Sequence, residues 1–358
     1  MRLVIISFWL TVILGSFYAV NYLTQNISEQ KTINIFTWID MINRDSISEF
    51  EQQTGIKVNL SYFSNAEELL TKLRLTNAKD YDLILVNDYA IVSLIKHDLV
   101  QKLDKTKLKF WSEIEPNLLN SYYDPQNLYS MPFYWDIYGL GYLSESLTQN
   151  KYLSENSELS WELVFDTQQN NYNYKIAMLD NGLEAILCAG QYLFKSADNL
   201  QSAQLPKIRE LLINQKKFIA AYTDEKAGFL LAAGDVQVAV TQSAFIHRVL
   251  KHRPEIKFGI PKEGGFIIVD ALVISKYSTK LDWVYQFLNF IYQPKFINQT
   301  VTQFAYLPVL KTSLKQADLN YLGGLDKLLQ QDFKKLQFFK RNLPLQDVNK
   351  IWVDVKAA

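Results

Sequence analysis

The sequence predicts an α/β fold of two domains, each a mostly parallel sheet flanked by helices, and three observations predict it. At 358 residues the chain is too long for one ordinary hydrophobic core. The stretch 33–58, INIFTWIDMINRDSISEFEQQTGIKV, reads as strand, polar turn, helix and second strand. Residues 81–86 then form a short apolar run of the kind buried on both faces of a parallel sheet.

Taken in order, Ile33, Ile35 and Phe36 are strand formers. Ile42, Ile47, Phe50 and Ile56 recur at roughly helical spacing, and Gly55 supplies the left-handed cap that ends the helix. Between them the turn carries Trp38 and Asp40; ligands of parallel α/β sheets bind at such carboxyl-end loops, so these two are the first candidate site residues. An amphipathic helix at 66–75 and the strand 81–86 follow. Asn87, Asp88 and Tyr89 are expected in a second loop at the same edge, before a helix at 91–97. After a charged connector at 99–108 and a short helix at 114–119, the aromatic segment 129–142 reads as a strand pair crossing into the second domain.

In that domain, after loops at 144–173 around a short helix at Trp161, a strand at 175–179 leads to Asp180-Asn181-Gly182. Helices are expected at 183–194, 204–214, 227–233 and 245–251, with strands at 236–240, 258–261 and 266–274. The last strand is pierced by Asp270, and an acid among Val269, Ala271 and Leu272 needs a partner. Helices at 281–292 and 295–302, an extended turn holding Tyr306, and amphipathic helix to residue 355 complete the chain. The expected division is 32–136 plus about 269–310 for the first domain and 137–268 plus about 311–358 for the second. Residues 1–23, with Arg2 ahead of an apolar run, read as an export signal or an uncleaved membrane anchor, and 24–31 as a linker.

Composition excludes several classes. Lys+Arg and Asp+Glu both number 37, so the chain lacks the basic excess of a nucleic-acid binder. The single Cys188 permits no internal disulfide and no zinc or iron–sulfur spacing. No G-x-S-x-G elbow, P-loop, G-x-G-x-x-G or H-E-x-x-H is present. His247 and His252, beside Arg248 and Arg253, read as a solvated basic face. No catalytic residue, metal or cofactor is therefore expected. Aromatic residues make up 14% of the chain, enough to line a pocket as well as fill a core.

Seven motifs carry a family likeness: I-F-T-W-I-D at 35–40, F-x-x-x-T-G-I-K-V at 50–58, Y-D-L-I at 81–84, Leu103-Asp104-Lys105 with Leu108, Y-S-M-P-F-Y-W at 129–135, K-E-G-G-F at 262–266 with V-D-A-L at 269–272, and A-Y-x-P at 305–308. In this order the chain resembles the periplasmic spermidine/putrescine-binding proteins that deliver polyamines to an ABC importer. The resemblance implies a two-domain periplasmic-binding-protein fold that closes like a hinge on a ligand in the interdomain cleft. It further implies a monomer in the periplasm, free or tethered by its amino-terminal segment, with permease subunits in the inner membrane as partners.

Carried over residue by residue, Trp38, Asp40, Tyr89, Glu184, Asp270 and Tyr306 fall on ligand positions of the family. Asn181 takes the place of an Asp, Asn87 that of a Ser, and the region of Thr241 that of a Trp; Trp135 closes the Y-S-M-P-F-Y-W motif. Ile39 and Met41 stand for Thr and Tyr, and Ile268 for a Trp. Acids suit a polycation once water is excluded, and aromatic faces hold methylenes and cations alike. Against these readings, Trp38 could be core, Asp40 a cap, Asn181 and Glu184 a capping box, and Asp270 the partner of a structural Arg or Lys. The alternative functions are capture of a different small cationic or amino-bearing solute, or a degenerate anchored protein used for sensing or docking.

Overall fold

The computed structural model describes residues 31–64, 66–76, 78–149, 152–154, 158–166 and 174–358, with six positions of the amino-terminal segment. The signal or anchor expected at 1–23 and the linker at 24–31 therefore lie almost wholly outside the described residues. Among the described residues no helix is long and apolar enough to cross a membrane.

The chain opens with β1 (Thr32–Thr37), α1 (Arg44–Thr54), β2 (Lys57–Tyr62), α2 (Ala66–Thr76), β3 (Leu83–Asn87) and α3 (Asp88–Lys96). β1 lies between β2 and β3, parallel to both. α1 starts at Asn43, whose side chain accepts from the Ser46 N–H at 2.9 Å, and it turns Phe50 inward against Phe287 and Phe290. Next come β4 (Ser130–Leu143), α4 (Ser144–Gln149), α5 (Glu162–Phe165), β5 (Ile176–Met178), α6 (Gly182–Phe194), α7 (Leu205–Gln215), β6 (Ile219–Tyr222), α8 (Ala227–Ala233), β7 (Val238–Gln242), α9 (Ser243–Leu250), β8 (Ile256–Gly259) and β9 (Gly265–Ile274). The chain finishes with α10 (Leu281–Ile291), α11 (Pro294–Phe304), β10 (Leu307–Pro308), α12 (Lys311–Gln316), α13 (Leu325–Lys327), β11 (Leu336–Phe338) and α14 (Leu345–Ala357).

Hydrogen bonding runs in the order β2-β1-β3-β9-β4-β7-β5-β6, with β11 added to β9 and with β8 and β10 added to β4. Both ends of this sheet are parallel, and its middle is antiparallel. Two long buried strands join the halves. β9 pairs with β3 through Asp270–Ile274 and with β11 through Gly265–Ile267. β4 pairs with β9 over Ser130–Tyr138 and with β7 over Tyr138–Tyr142. A ligand pocket between the halves is consequently backed by residues of β4 and β9.

The structure departs from the sequence reading in several places. Residues 130–143 form one strand; Pro132 is absorbed by a register shift before Tyr134. Asp88 and Tyr89 open α3 and are not loop residues. Residues 114–119 hold a 3₁₀ turn at Pro116–Leu118. The helix expected to residue 355 is broken at Gly323 and Gly324, both at positive φ, and β11 intervenes before α14. β6, β10 and β11 are too short to announce themselves by periodicity. Of the expected solvated basic face, Arg248 and His252 are exposed, Arg248 also donating twice to the Phe304 carbonyl, at 3.0 and 2.8 Å, while His247 is half-buried and stacks on Tyr321 at 4.6 Å.

Close approach of β4 to β8 yields a test. A Cβ on Gly139 would meet the Gly259 carbonyl oxygen at 2.5 Å and Phe258 Cζ at 3.0 Å. Gly139→Ala is expected to destabilise the protein by about 1–3 kcal/mol, read as a lower midpoint in urea unfolding with an unchanged slope.

Candidate functional site: an acidic, aromatic cleft

A cleft of about 820 Å³ lies between the halves of the sheet. On one side, Trp38 follows β1, Tyr89 sits in the first turn of α3, and Tyr306 immediately precedes β10. Asn181 and Glu184, at the start of α6, face them across the gap, while Tyr138 of β4 and Asp270 of β9 form the back. Trp38 is half-buried, its ring centroid 4.4 Å from that of Phe63. Tyr306 lies nearly parallel to Tyr134, with centroids 5.8 Å apart.

The acids are the unusual feature. Asp270 sits opposite Asn87 in the β3–β9 ladder. Burial, with the charge of Asp136 added, pushes its carboxyl up to about 7. No lysine or arginine among the described residues lies within ion-pair distance of it, so the structural cation partner considered from sequence is missing there. Glu184 is 4% exposed. Its Oε2 is buried with no hydrogen-bond partner. Burial first, then Asp224 and Asp88, hold its carboxyl well above the usual range, while Arg341 pulls it back. Asp224, on the same side, is raised to about 6 by burial.

Other buried acids differ sharply. Asp82 accepts from the Asn34 N–H and the Ser278 hydroxyl, both at 2.8 Å, and from Lys280 at 3.1 Å. Asp124 accepts from three consecutive backbone N–H groups, of Leu128, Tyr129 and Ser130. Those carboxylates are satisfied by the fold. Asp270 and Glu184 are left for something else.

The remaining expectations sort by position. Asn181 caps α6, its side chain accepting from the Leu183 and Glu184 N–H groups. Glu184 makes no return bond to the Asn181 N–H, so half of the capping box exists and the acid is released to the cleft. Asn87 lines the cleft with a buried, unpartnered Oδ1. Asp40 does not reach this space. It is exposed in left-handed conformation, with φ 59°, and borders a separate hollow of about 250 Å³. It does not cap α1 either, since Asn43 does. Trp135 is core, 1% exposed, its indole N–H donating to the Pro308 carbonyl at 2.9 Å. Thr241 is fully buried behind the wall, and Gln242 faces the cleft in its place. Ile39, Met41 and Ile268, the substituted positions, all line the cleft.

Sequence reasoning missed Tyr138, Asp224, Asp88 and Arg341. Tyr138 shares a strand face with Asp136, a signal legible once 130–143 is taken as one strand. Asp88 is 1% exposed, with both carboxylate oxygens unpartnered and raised well above the usual range by burial, with Asp270 adding to it. It was hidden by placing it in a loop. Arg341 follows β11 in a stretch expected to be helical, and nothing in its neighbourhood marked it.

Known proteins fit this architecture. The chain is 29% identical over 299 residues to the putrescine-binding periplasmic protein PotF of Escherichia coli (strain K12), covering 80% of each. It is 27% identical over 279 residues to the putrescine-binding periplasmic protein SpuD of Pseudomonas aeruginosa (strain UCBPP-PA14), covering 75% of each. Among solved structures, the spermidine/putrescine ABC transporter substrate-binding protein PotD from Streptococcus pneumoniae superposes with a TM-score of 0.75 at 21% identity, over 91% of this chain and 99% of that one. A putative spermidine/putrescine ABC transporter from Listeria monocytogenes gives 0.76 at 24%, with the same coverage. These likenesses establish the two-domain periplasmic-binding-protein fold. The family model of the bacterial extracellular solute-binding proteins matches residues 45–322, and the chain belongs to that family.

Proposed function

We propose that this protein captures a polyamine of the putrescine or spermidine type by hinge closure and delivers it to an ABC importer, performing no chemistry on it. One observation carries the reading: the buried carboxylate of Glu184 and the half-buried one of Asp270 have no protein cation at ion-pair distance among the described residues, on a wall framed by Trp38, Tyr89, Tyr138 and Tyr306. Ligand ammonium groups would supply the missing charge, and the rings would hold the methylene chain. The names of PotF and SpuD support the same ligand class.

The hinge is assigned to the middles of β4 and β9, with 32–136 plus about 269–310 as one domain and 137–268 plus about 311–358 as the other. Packing supports the second grouping: Arg209 of α7 pairs with Asp354 of α14 at 2.7 Å. The protein acts as a periplasmic monomer that docks on permease subunits, with residues 1–23 serving export. A second reading, a different amino-bearing solute, is favoured by the apolar Ile39, Met41 and Ile268 in the wall.

Calorimetric titration of residues 32–358 with putrescine and spermidine tests the assignment. Micromolar or tighter binding is expected, weakened roughly 100-fold by Asp270→Ala and by Glu184→Ala. A wild type that takes up no polyamine at millimolar concentration would move the search to other amines.

Proton linkage gives a separate check. Asp270 has an ordinary value of 3.8 and titrates at about 7 in the fold, so between these values the folded chain binds more protons than the unfolded one. Stability of the unliganded protein must then fall as pH rises through that window. From pH 5 to pH 8 the melting midpoint is expected to drop by roughly 3–8 °C, and Asp270→Asn to flatten the slope. An identical slope in the variant would remove Asp270 from the account.

A further inference from the structure

The cleft holds a cation of the protein's own. Arg341 stands at its mouth, on the 339–344 segment between β11 and α14, and its guanidinium carbon lies 4.7 Å from the centroid of the Tyr89 ring. The segment is pinned on both sides of it. Lys340 Nζ pairs with Asp198 at 2.6 Å, and Asn342 Nδ2 donates to the Asp198 carbonyl at 2.9 Å. Phe339 is 1% exposed and stacks on Phe266 with centroids 4.2 Å apart. The backbone that carries Arg341 is thus fixed to the second half of the sheet, whereas Tyr89 belongs to α3 on the first.

A guanidinium over a tyrosine face is the contact a ligand ammonium would make at the same ring. The charge of Arg341 also reaches Glu184. We propose that Arg341 determines specificity by charge: it takes the Tyr89 face and opposes a further ammonium at that end of the cleft, so the site prefers a short diamine to a triamine. The inference rests on the polyamine reading and deepens it. A triamine brings one more positive charge into the field of Arg341, and that repulsion acts across a solvent-exposed mouth where salt screens it.

The test is titration of wild type, Arg341→Gln, Arg341→Met and Arg341→Lys with putrescine and spermidine at low and at high ionic strength. Wild type is expected to favour putrescine. At low salt the neutral variants should tighten spermidine by about threefold to tenfold and putrescine by less, while the lysine variant keeps the original ratio. At high salt the difference should shrink. Two neutral variants keep the comparison available if one folds poorly, as judged by its melting curve. A wild-type preference for spermidine, or neutral variants with an unchanged spermidine-to-putrescine ratio, would overturn the role of Arg341 and leave polyamine capture standing. If no form of the protein binds either amine, the ligand reading fails and this inference fails with it.

Discussion

Burying a carboxylate without a counter-charge costs several kcal/mol even after the protein relaxes around it. This protein accepts that cost at one place. Glu184 on α6 and Asp88 at the start of α3 are withdrawn from water, Asp270 on β9 is half-buried, and none has a protein cation at ion-pair distance among the described residues. The fold handles other buried acids quite differently, as the three donors on Asp82 and the backbone loop around Asp124 demonstrate. Uncompensated acids in and beside one cleft, with compensated acids elsewhere, are the pattern that supports the proposed capture of a cation.

The rest of the architecture holds those acids in place. β4 and β9 run through both halves of the sheet, so Tyr138 and Asp270 sit on strands shared by the two halves. The walls come from elements that belong to one half each: α3 with Tyr89, and α6 with Glu184. Helix α6 starts at the cleft because Asn181 caps it. Its positive end favours an anionic Glu184 by an amount that burial more than offsets. A change in the angle between the halves would alter the gap between these walls without breaking either ladder, which is the mechanical basis of the proposed capture by closure.

Much of this was legible in the chain. The 33–58 unit, the parallel strand at 81–86 and the acid inside 266–274 announced the fold and the carboxylate at the back of the cleft, because apolar runs and a lone charge within one are local signals. Trp38, Tyr89 and Glu184 followed from their places at strand ends and helix starts. Asp40 went astray because its left-handed backbone turns it to the outside, which no spacing rule registers. Trp135 and Thr241 lie on cleft-forming strands but on their buried side, a one-residue matter in a structure of period two. Arg341 was invisible for a different reason. It reaches the cleft from a segment some 70 residues beyond Asp270 (341 − 270 = 71), and only the tertiary placement of β11 on β9 brings it there.

The central claim is that protonated, buried acids of the unliganded cleft become the anions that hold the ligand. It is tested most directly by titrating the protein with putrescine at pH 6.5 in two buffers of different ionisation enthalpy. The difference in heat then counts the protons exchanged. A net release approaching about one proton per ligand, diminishing toward pH 8, is the expected result. Binding without proton exchange at pH 6.5 would mean that the acids are already ionised and paired, and would contradict the account.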